Sequence, residues 1–223
     1  MEAVELYPLL LSFKVATLAT LLSTVAGLGL AALLSTRRFV GRNVLDVIVT
    51  APMVLPPTVL GYYLLVVLGR RSTLGSAFEH LTGSTVVFTQ TGAVVAASIG
   101  ALPLIVKSGR AALESVDPLL VNAARTLGAN PLRAFLTVKV PLAAPGIVSG
   151  TMLGFARALG DFGVTLMVAG DIPGETRTAS LAIYDAIQSN DEKQALLMIA
   201  VLTVVALSVL FVTNKLTKAP HGG

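Results

Sequence analysis

The stretch VNAARTLGANPLRAFLTVKVP, residues 121–141, is a polar interruption in a chain that otherwise consists of long apolar runs. Of the 223 residues, 54% are hydrophobic and only 13% are charged, whereas ordinary soluble domains have about 25% charged residues. A soluble core could not bury this much apolar surface, so the chain is predicted to be a membrane protein. The stretch 121–141 then connects two membrane segments on one side of the bilayer.

Composition excludes several other kinds of site. The net charge is +4, but the basic residues are scattered and aromatic residues make up 5% of the chain, so no surface for nucleic acid is indicated. The chain has no cysteine, which excludes disulfides and thiolate metal sites, and its two histidines are isolated. Neither an HExxH nor a GxSxG motif is present. We expect no catalytic residue, no metal site and no cofactor in this chain.

The apolar runs have the length of membrane-spanning helices, which need about 20 mainly apolar residues. Five segments qualify: 8–34, 44–68, 86–106, 142–159 and 195–212. The predicted fold is an all-α polytopic membrane protein with five transmembrane helices, forming one domain over residues 1–223. A long loop at 107–141 joins the third and fourth spans. The apolar stretch 162–170 is too short to span and is predicted to be a re-entrant piece enclosed by protein.

Loop charges predict the orientation, because basic residues concentrate on the cytoplasmic side. If five spans alternate, ten basic residues fall on one side: Arg37, Arg38, Arg42, Lys107, Arg110, Arg125, Arg133, Lys139, Lys215 and Lys218. Four fall on the other: Arg70, Arg71, Arg177 and Lys193. We therefore expect the N-terminus outside, with the 107–141 loop and the C-terminus in the cytoplasm.

The loop itself predicts two short helices. Asp117 and Pro118 form a good helix start, with aspartate as N-cap and proline at the first helical position. Gly128 is expected just after the end of this helix, and a second short helix is expected over 132–140. The first helix has an apolar face. Such a helix could lie in the lipid headgroups or enter a groove on a partner protein.

These residues resemble the EAA loop of binding-protein-dependent ABC importer permeases. The matching positions are Asn122, Ala123, Ala124, Gly128 and Pro141, with Asn122 in place of the usual glutamate. The resemblance implies coupling helices that seat in a cleft of a cytoplasmic ATPase. It also implies a homodimer with two ATPase subunits, served by an extracytoplasmic binding protein. This chain has no GxxxxGK[ST] phosphate loop, so ATP and Mg²⁺ are expected on the partner ATPase.

Three further stretches, 46–75, 155–163 and 172–188, resemble molybdate importer permeases. The resemblance implies transport of molybdate by alternating access through a bacterial inner membrane. Tungstate or sulfate are alternative cargoes for the same machinery. A secondary transporter driven by an ion gradient is the alternative from a different class.

Prolines and a charged pair define a candidate gate region. Pro52, Pro56 and Pro57 cannot donate backbone hydrogen bonds, so the second span is expected to kink or unwind locally, either as a packing kink or as a flexible gate segment. Arg157 and Asp161 are four residues apart and share a helix face. The pair is either a structural ion pair at headgroup level, or Arg157 sets an electropositive path for a dianion. In the second interpretation, Asp161, Phe162 and Gly163 form a hinge.

Two other groups are candidates for contacts between surfaces. Small residues four apart allow close helix packing in lipid, either within the subunit or across a homodimer axis, and three do so here: Gly146, Gly150 and Gly154. The loop 170–178 is either an ordinary solvated loop or a docking site for the binding protein. Its candidate docking residues are Pro173, Gly174, Glu175 and Arg177.

Overall fold

The computed structural model describes residues 6–36 and 39–217, and in these ranges the chain is helical without a strand. The all-α fold class predicted from the sequence is confirmed. These described ranges contain eleven α-helices: α1 Tyr7–Thr36, α2 Arg42–Val54, α3 Pro57–Leu68, α4 Thr73–Thr82, α5 Gln90–Glu114, α6 Pro118–Thr126, α7 Pro131–Ala134, α8 Val140–Leu159, α9 Gly163–Ala169, α10 Ala179–Gln188 and α11 Glu192–Thr217. A π-helical turn, Phe135–Lys139, joins α7 to α8.

Four long helical segments are apolar enough to cross a membrane: Tyr7–Ser35, Gln90–Glu114, Pro131–Leu159 and Glu192–Lys215. The predicted span 44–68 instead forms α2 and α3, whose axes meet at 117°. It is a fifth span only if the two halves cross the membrane together. The interruption lies at Leu55 and Pro56, both of which have extended backbone, because the residue before a proline is driven out of the helical region.

Two predicted boundaries are wrong. The third span was expected at 86–106, but α5 begins at Gln90, where the Thr89 hydroxyl accepts a hydrogen bond from the Gly92 N–H. The same helix continues to Glu114, so its last two turns replace the start of the predicted 107–141 loop. The expected second short helix, 132–140, is also not separate. Residues Pro131–Leu159 run on as one helical segment.

The long helices pack through small residues in a defined register. Helices α1 and α5 are parallel, since Lys14 contacts Gln90 near their starts and Ala31 lies against Gly109 near their ends. Alanines fill the interface between them and are fully or almost fully buried: Ala16, Ala19, Ala93, Ala97 and Ala101. Small side chains let helix backbones approach closely in a membrane.

The fold has two ends, and α1 begins at the end opposite to the one at which α11 finishes. Met198 of α11 packs with Leu9 of α1, and Leu202 packs against the cluster that contains Val15, so α11 runs parallel to α1. We call the end that carries α6 and α7 the loop end and the opposite end the distal end. The N-terminal start of α1 lies at the distal end, whereas α11 finishes at the loop end. Three of the basic residues counted for orientation lie outside the described residues: Arg37, Arg38 and Lys218.

The short apolar stretch predicted at 162–170 forms α9, which is enclosed by protein as expected. Val164 and Val168 are fully buried and pack with Leu60 and Leu64 of α3 and with Ala96 of α5. Helix α9 begins just past the end of α8, so these two helices meet inside the bundle. This junction holds the residues of the predicted gate region.

Candidate functional site

The first loop helix, α6, has the caps that the sequence predicts. The Asp117 side chain accepts a hydrogen bond from the Leu119 N–H at 2.8 Å, and Pro118 is the first helical residue. Gly128 has φ of +92°, in the left-handed region that favours glycine. The Ala129 N–H then closes the turn on the Ala124 carbonyl at 3.1 Å. The chain therefore leaves α6 by a sharp, defined turn.

The apolar face of α6 is uncovered. No residue of α6 is buried. Leu119 is 72% exposed and Leu127 is 88% exposed, and Asn122 and Ala123 are exposed beside them. Leu132 and Leu136 extend the same apolar character into the next turn. Contiguous exposed apolar surface of this kind marks contact with another protein or with lipid.

Although its outer face is open, the loop is anchored to the long helices. Val121 and Phe135 pack against the buried cluster formed by Leu113 of α5 and Ala143 of α8. A cavity of about 350 Å³ lies between α5, α6 and the π-helical turn, and its lining includes Glu114, Asn122, Arg125 and Lys139. Pro141 lies in the first turn of α8. A displacement of α6 would therefore act directly on α5 and α8.

Sequence reasoning missed a cluster of four charged residues at the loop end. Arg110 donates to Glu114 at 2.8 Å and to Asp46 at 3.2 Å. Arg42 donates to the Leu34 carbonyl at 2.6 Å and reaches Glu114 at 3.5 Å. We call Arg42, Asp46, Arg110 and Glu114 the charge cluster. It ties the end of α1 and the start of α2 to the end of α5.

In the predicted gate region, Arg157 and Asp161 form an ion pair with an Nη1–Oδ1 distance of 3.0 Å. The other carboxylate oxygen of Asp161 accepts from the Thr165 N–H at 3.0 Å and from the Thr165 hydroxyl at 2.6 Å. Arg157 lies in the last turn of α8 and Asp161 lies just before α9. Each charge therefore sits at the helix end that favours its sign. Thr165 is a partner that the sequence did not indicate.

The position of the Arg157–Asp161 pair along the bundle follows from its neighbour on α5. Arg157 and Asp161 lie beside Gly100 of α5. Gly100 is ten residues after Gln90 and fourteen before Glu114, which corresponds to about 15 Å and about 21 Å along the helix. The pair is therefore in the middle of the bundle, because α8 ends there and α9 continues toward the distal end.

The remaining gate residues adjoin this pair. The bend at Pro56 places Pro57 against Gly163, so close that a Cβ on Gly163 would lie 2.7 Å from the Pro57 Cβ. The Phe162 ring lies 5.2 Å from the Tyr184 ring, measured between centroids. The broken helix pair α2–α3, the end of α8 and the start of α9 therefore meet in one region.

The glycine stripe on α8 faces α5 of the same chain. A Cβ on Gly146 would lie 2.7 Å from the Ala112 Cβ, and one on Gly154 would lie 2.6 Å from Ile105 Cγ1. Gly150, between them, abuts Ser108. The sequence allowed these glycines to pack either within the subunit or across a homodimer axis. The contacts with α5 are packing within the subunit.

The loop between α9 and α10 has a fixed base and an exposed tip. The Ile172 carbonyl accepts hydrogen bonds from the N–H groups of Glu175, Thr176 and Arg177 at 3.0–3.1 Å. Arg177 also pairs with Asp171 at 2.8 Å and with Asp185 at 2.6 Å. The tip residues are exposed and include Gly174 with φ of +75°: Pro173, Gly174 and Glu175. The loop lies at the distal end, where the Gln90 side chain of α5 donates to the Glu175 carbonyl at 3.1 Å.

A strained residue holds the start of α5 to this loop. Phe88 has φ of +59°, which is unusual for a bulky side chain. Its N–H donates to the Val168 carbonyl at 2.9 Å, and its ring contacts the position of Gly170. Nothing in the local sequence indicated this role, because the contact joins segments about eighty residues apart.

Comparison with known proteins agrees with this architecture. Residues 23–219 match the family model described as binding-protein-dependent transport system inner membrane component. The chain is 48% identical to the molybdenum transport system permease protein ModB of Escherichia coli strain K12, over 83% of this chain and 81% of that protein. It is 37% identical to the protein of the same name from Haemophilus influenzae, over 96% and 94%.

A solved structure shares the fold. A chain of the MetNI methionine ABC transporter in an inward-facing conformation superposes with a TM-score of 0.74, at 18% identity, covering 97% of this chain and 95% of that one. The resemblance predicted from the EAA loop and the three further stretches is confirmed. The chain belongs to the family of binding-protein-dependent transport system inner membrane components, and it is a multi-pass membrane protein.

Proposed function

We propose that this chain is the permease subunit of an ATP-driven importer that moves molybdate from an extracytoplasmic binding protein into the cytoplasm. Two copies form a homodimer that combines with two ATPase subunits. The observation that carries the proposal is the uncovered apolar face of α6 on a loop packed firmly against α5 and α8. Of the two uses considered for this helix, insertion into a groove on a partner explains both its exposure and its anchoring.

The loop end is the cytoplasmic end in this proposal. The start of α1 then lies outside and the end of α11 lies inside. Arg125, Arg133 and Lys139 on the loop would face the cytoplasm, as the distribution of basic residues favours. The 170–178 loop would face outward, where its exposed tip is available to a binding protein.

The partner subunits bind and hydrolyse ATP, since this chain has no phosphate-binding loop of its own. Closure of the two ATPase subunits would displace α6, and the packing of Val121 and Phe135 would carry this displacement to α5 and α8. The charge cluster would pass it to α2. Since α3 and α9 meet α8 at the gate region, the two ATPase states would favour different gate conformations.

The cargo follows from the named relatives and from charge. The relatives from E. coli and H. influenzae are molybdenum transport permeases. Molybdate is a tetrahedral dianion, and Arg157 is a cation at mid-depth of the bundle that can attract it. Tungstate has the same shape and charge and would share the route. Selection against sulfate is assigned mainly to the binding protein, because a transport path needs weak sites.

The test uses cells that lack this chain and cells that re-express it. Radiolabelled molybdate is supplied at nanomolar concentration, with tungstate or excess sulfate as competitor. We expect uptake only with the chain, competed by tungstate but not by sulfate. Strong competition by sulfate would overturn the cargo, and uptake that persists when the partner ATPase is inactivated would overturn the importer mechanism in favour of an ion-gradient transporter.

A further inference from the structure

The pair of Arg157 and Asp161 is unusual because one partner is enclosed and the other is not. The Asp161 side chain is 3% exposed, whereas the Arg157 side chain is 37% exposed. Ionised groups at this depth are costly in lipid and face protein or water instead. In the homodimer of the proposed function, the open side of the Arg157 guanidinium would face the translocation path.

Asp161 is held in place independently of anything in the path. Both of its oxygens are engaged, one by Arg157 and the other by the N–H and the hydroxyl of Thr165. Thr165 is buried, and Asp161 lies at the junction between α8 and α9. The carboxylate therefore cannot swing away when an anion approaches.

The Arg157 guanidinium has hydrogen-bond donors that Asp161 does not use. A guanidinium carries five N–H donors, and one hydrogen bond, to Asp161, is its only polar contact among the residues that the structure describes. The remaining donors suit a tetrahedral oxyanion, for which arginine is a preferred partner. An unpaired arginine in this low-dielectric region would hold a dianion strongly, because charge interactions strengthen as the dielectric falls.

We propose that Asp161 is a fixed counter-charge that prevents Arg157 from trapping the transported oxyanion. This inference rests on the proposed function. With the carboxylate 3.0 Å from the guanidinium, the pair has no net charge, and its attraction for an approaching dianion is weak. The path then contains a contact that orients the anion and releases it, as conduction requires.

The opposite charges of the two residues give a signature that a purely structural pair lacks. Removing the carboxylate leaves a cation in the path and strengthens anion binding. Removing the guanidinium leaves an anion that repels the cargo. Removing both restores neutrality. If the pair only stabilised the fold, either single substitution would lower stability, and the two substitutions would not have opposite effects on anion binding.

The experiment uses the assembled permease–ATPase complex in lipid nanodiscs without the binding protein. Binding of radiolabelled molybdate is measured by equilibrium dialysis for the wild type, Asp161→Asn, Arg157→Gln and the double variant. Asparagine keeps an oxygen for the two Thr165 donors. Thr165→Val is the control that removes a contact of Asp161 but keeps its charge. In parallel, the rate of ATP-driven molybdate uptake, called turnover here, is measured with the same complexes in proteoliposomes and saturating loaded binding protein.

We expect Asp161→Asn to bind molybdate about tenfold more tightly than the wild type or better, and to turn over more slowly. Arg157→Gln should show no binding and reduced turnover. The double variant and Thr165→Val should bind as weakly as the wild type. If Asp161→Asn does not assemble, the decisive comparison is turnover, which should be faster in the double variant than in Arg157→Gln.

The inference would be overturned if assembled Asp161→Asn bound molybdate no more tightly than the wild type. It would also be overturned if turnover of the double variant were no faster than that of Arg157→Gln. The wild type distinguishes this failure from that of the proposed function. Wild-type complex that takes up molybdate with ATP and binding protein leaves the proposed function intact. Wild-type complex that takes up none would overturn both.

Discussion

The charged residues at the loop end and those in the gate region differ in how they are enclosed. In the charge cluster, side chains of Arg42, Asp46, Arg110 and Glu114 are 27–42% exposed and join three helices. In the gate region, Asp161 is buried and its contacts join two consecutive helices. Exposed ion pairs contribute about 0–1 kcal/mol each, whereas breaking a buried pair by removing one partner costs about 3–5 kcal/mol.

This difference assigns the two regions different tasks. A surface cluster can rearrange at little cost, so it suits a place where helices change their relative positions. The enclosed carboxylate of Asp161 is fixed by its contacts, so it suits a place where one arrangement must persist while neighbours move. The apolar surfaces follow the same division, because α6 leaves its leucines open and α9 buries its valines.

The largest effect on molybdate uptake is expected from adding one methyl group in the gate region. In Gly163→Ala, the new Cβ would lie 2.7 Å from the Pro57 Cβ, so α3 and α9 must separate. Overpacking of this kind costs about 1–3 kcal/mol, and we expect molybdate uptake to fall by about tenfold or more. Gly29→Ala on α1 is the matched control, since no atom lies within 4 Å of its added Cβ. Equal uptake by the two variants would show that the α3–α9 contact is not critical.

The next effect concerns the open face of α6. Leu127→Asp places a charge on a residue that is 88% exposed in the isolated chain, so the fold should be unaffected while docking to the ATPase is lost. We expect co-purification of the ATPase to fall by about tenfold, as for the removal of an apolar anchor at an interface. The control is Leu81→Asp on α4, where the leucine is 86% exposed. Loss of the ATPase from both variants, or from neither, would contradict a docking role for α6.

A smaller effect is expected from the charge cluster. Asp46→Asn removes one partner of Arg110 and should change stability by less than about 1 kcal/mol. If the cluster carries loop movement to α2, ATP hydrolysis continues while uptake per ATP falls, by about two- to fivefold on the same energy scale. Glu79→Gln is the control, because its pair with Arg70 lies away from the loop end. A parallel fall in hydrolysis and uptake would argue for simple destabilisation instead.

The smallest effect is expected at the loop between α9 and α10. Arg177→Gln removes pairs with Asp171 and Asp185 at the base of this loop but leaves the tip unchanged. We expect a severalfold increase in the concentration of binding protein needed for half-maximal uptake, with the maximal rate preserved. Titration of the binding protein against reconstituted complex measures this. A lower maximal rate at unchanged half-saturation would place the role of Arg177 in the gate rather than in docking.

Local signals in the sequence predicted local structure well. The caps of α6 at Asp117 and Gly128 follow from the side-chain and backbone preferences of single residues, which need no information from elsewhere in the chain. The enclosure of α9 follows from its length and apolar composition. Membrane class and the long helices follow from the hydrophobic runs.

Features that depend on tertiary contacts could not be predicted in this way. The charge cluster pairs Asp46 with Arg110, 64 residues apart, and no local pattern links them. The prolines predict an interruption, but neither the 117° angle between α2 and α3 nor the packing of α3 on α9 follows from them. The contact of the Arg157–Asp161 pair with Gly100 of α5 could not be predicted either, because residue counting along α8 does not reveal that α8 ends within the bundle.

The most direct measurement is ATP-driven uptake in proteoliposomes that contain the purified chain, its partner ATPase and the binding protein, with no ion gradient. Molybdate accumulation and ATP hydrolysis are recorded together for the wild type and for Leu127→Asp. We predict that the wild type accumulates molybdate only with ATP, and that Leu127→Asp loses this accumulation although the chain remains folded. Accumulation driven by an imposed ion gradient without ATP, or full ATP-driven accumulation by Leu127→Asp, would contradict the coupling role of the loop.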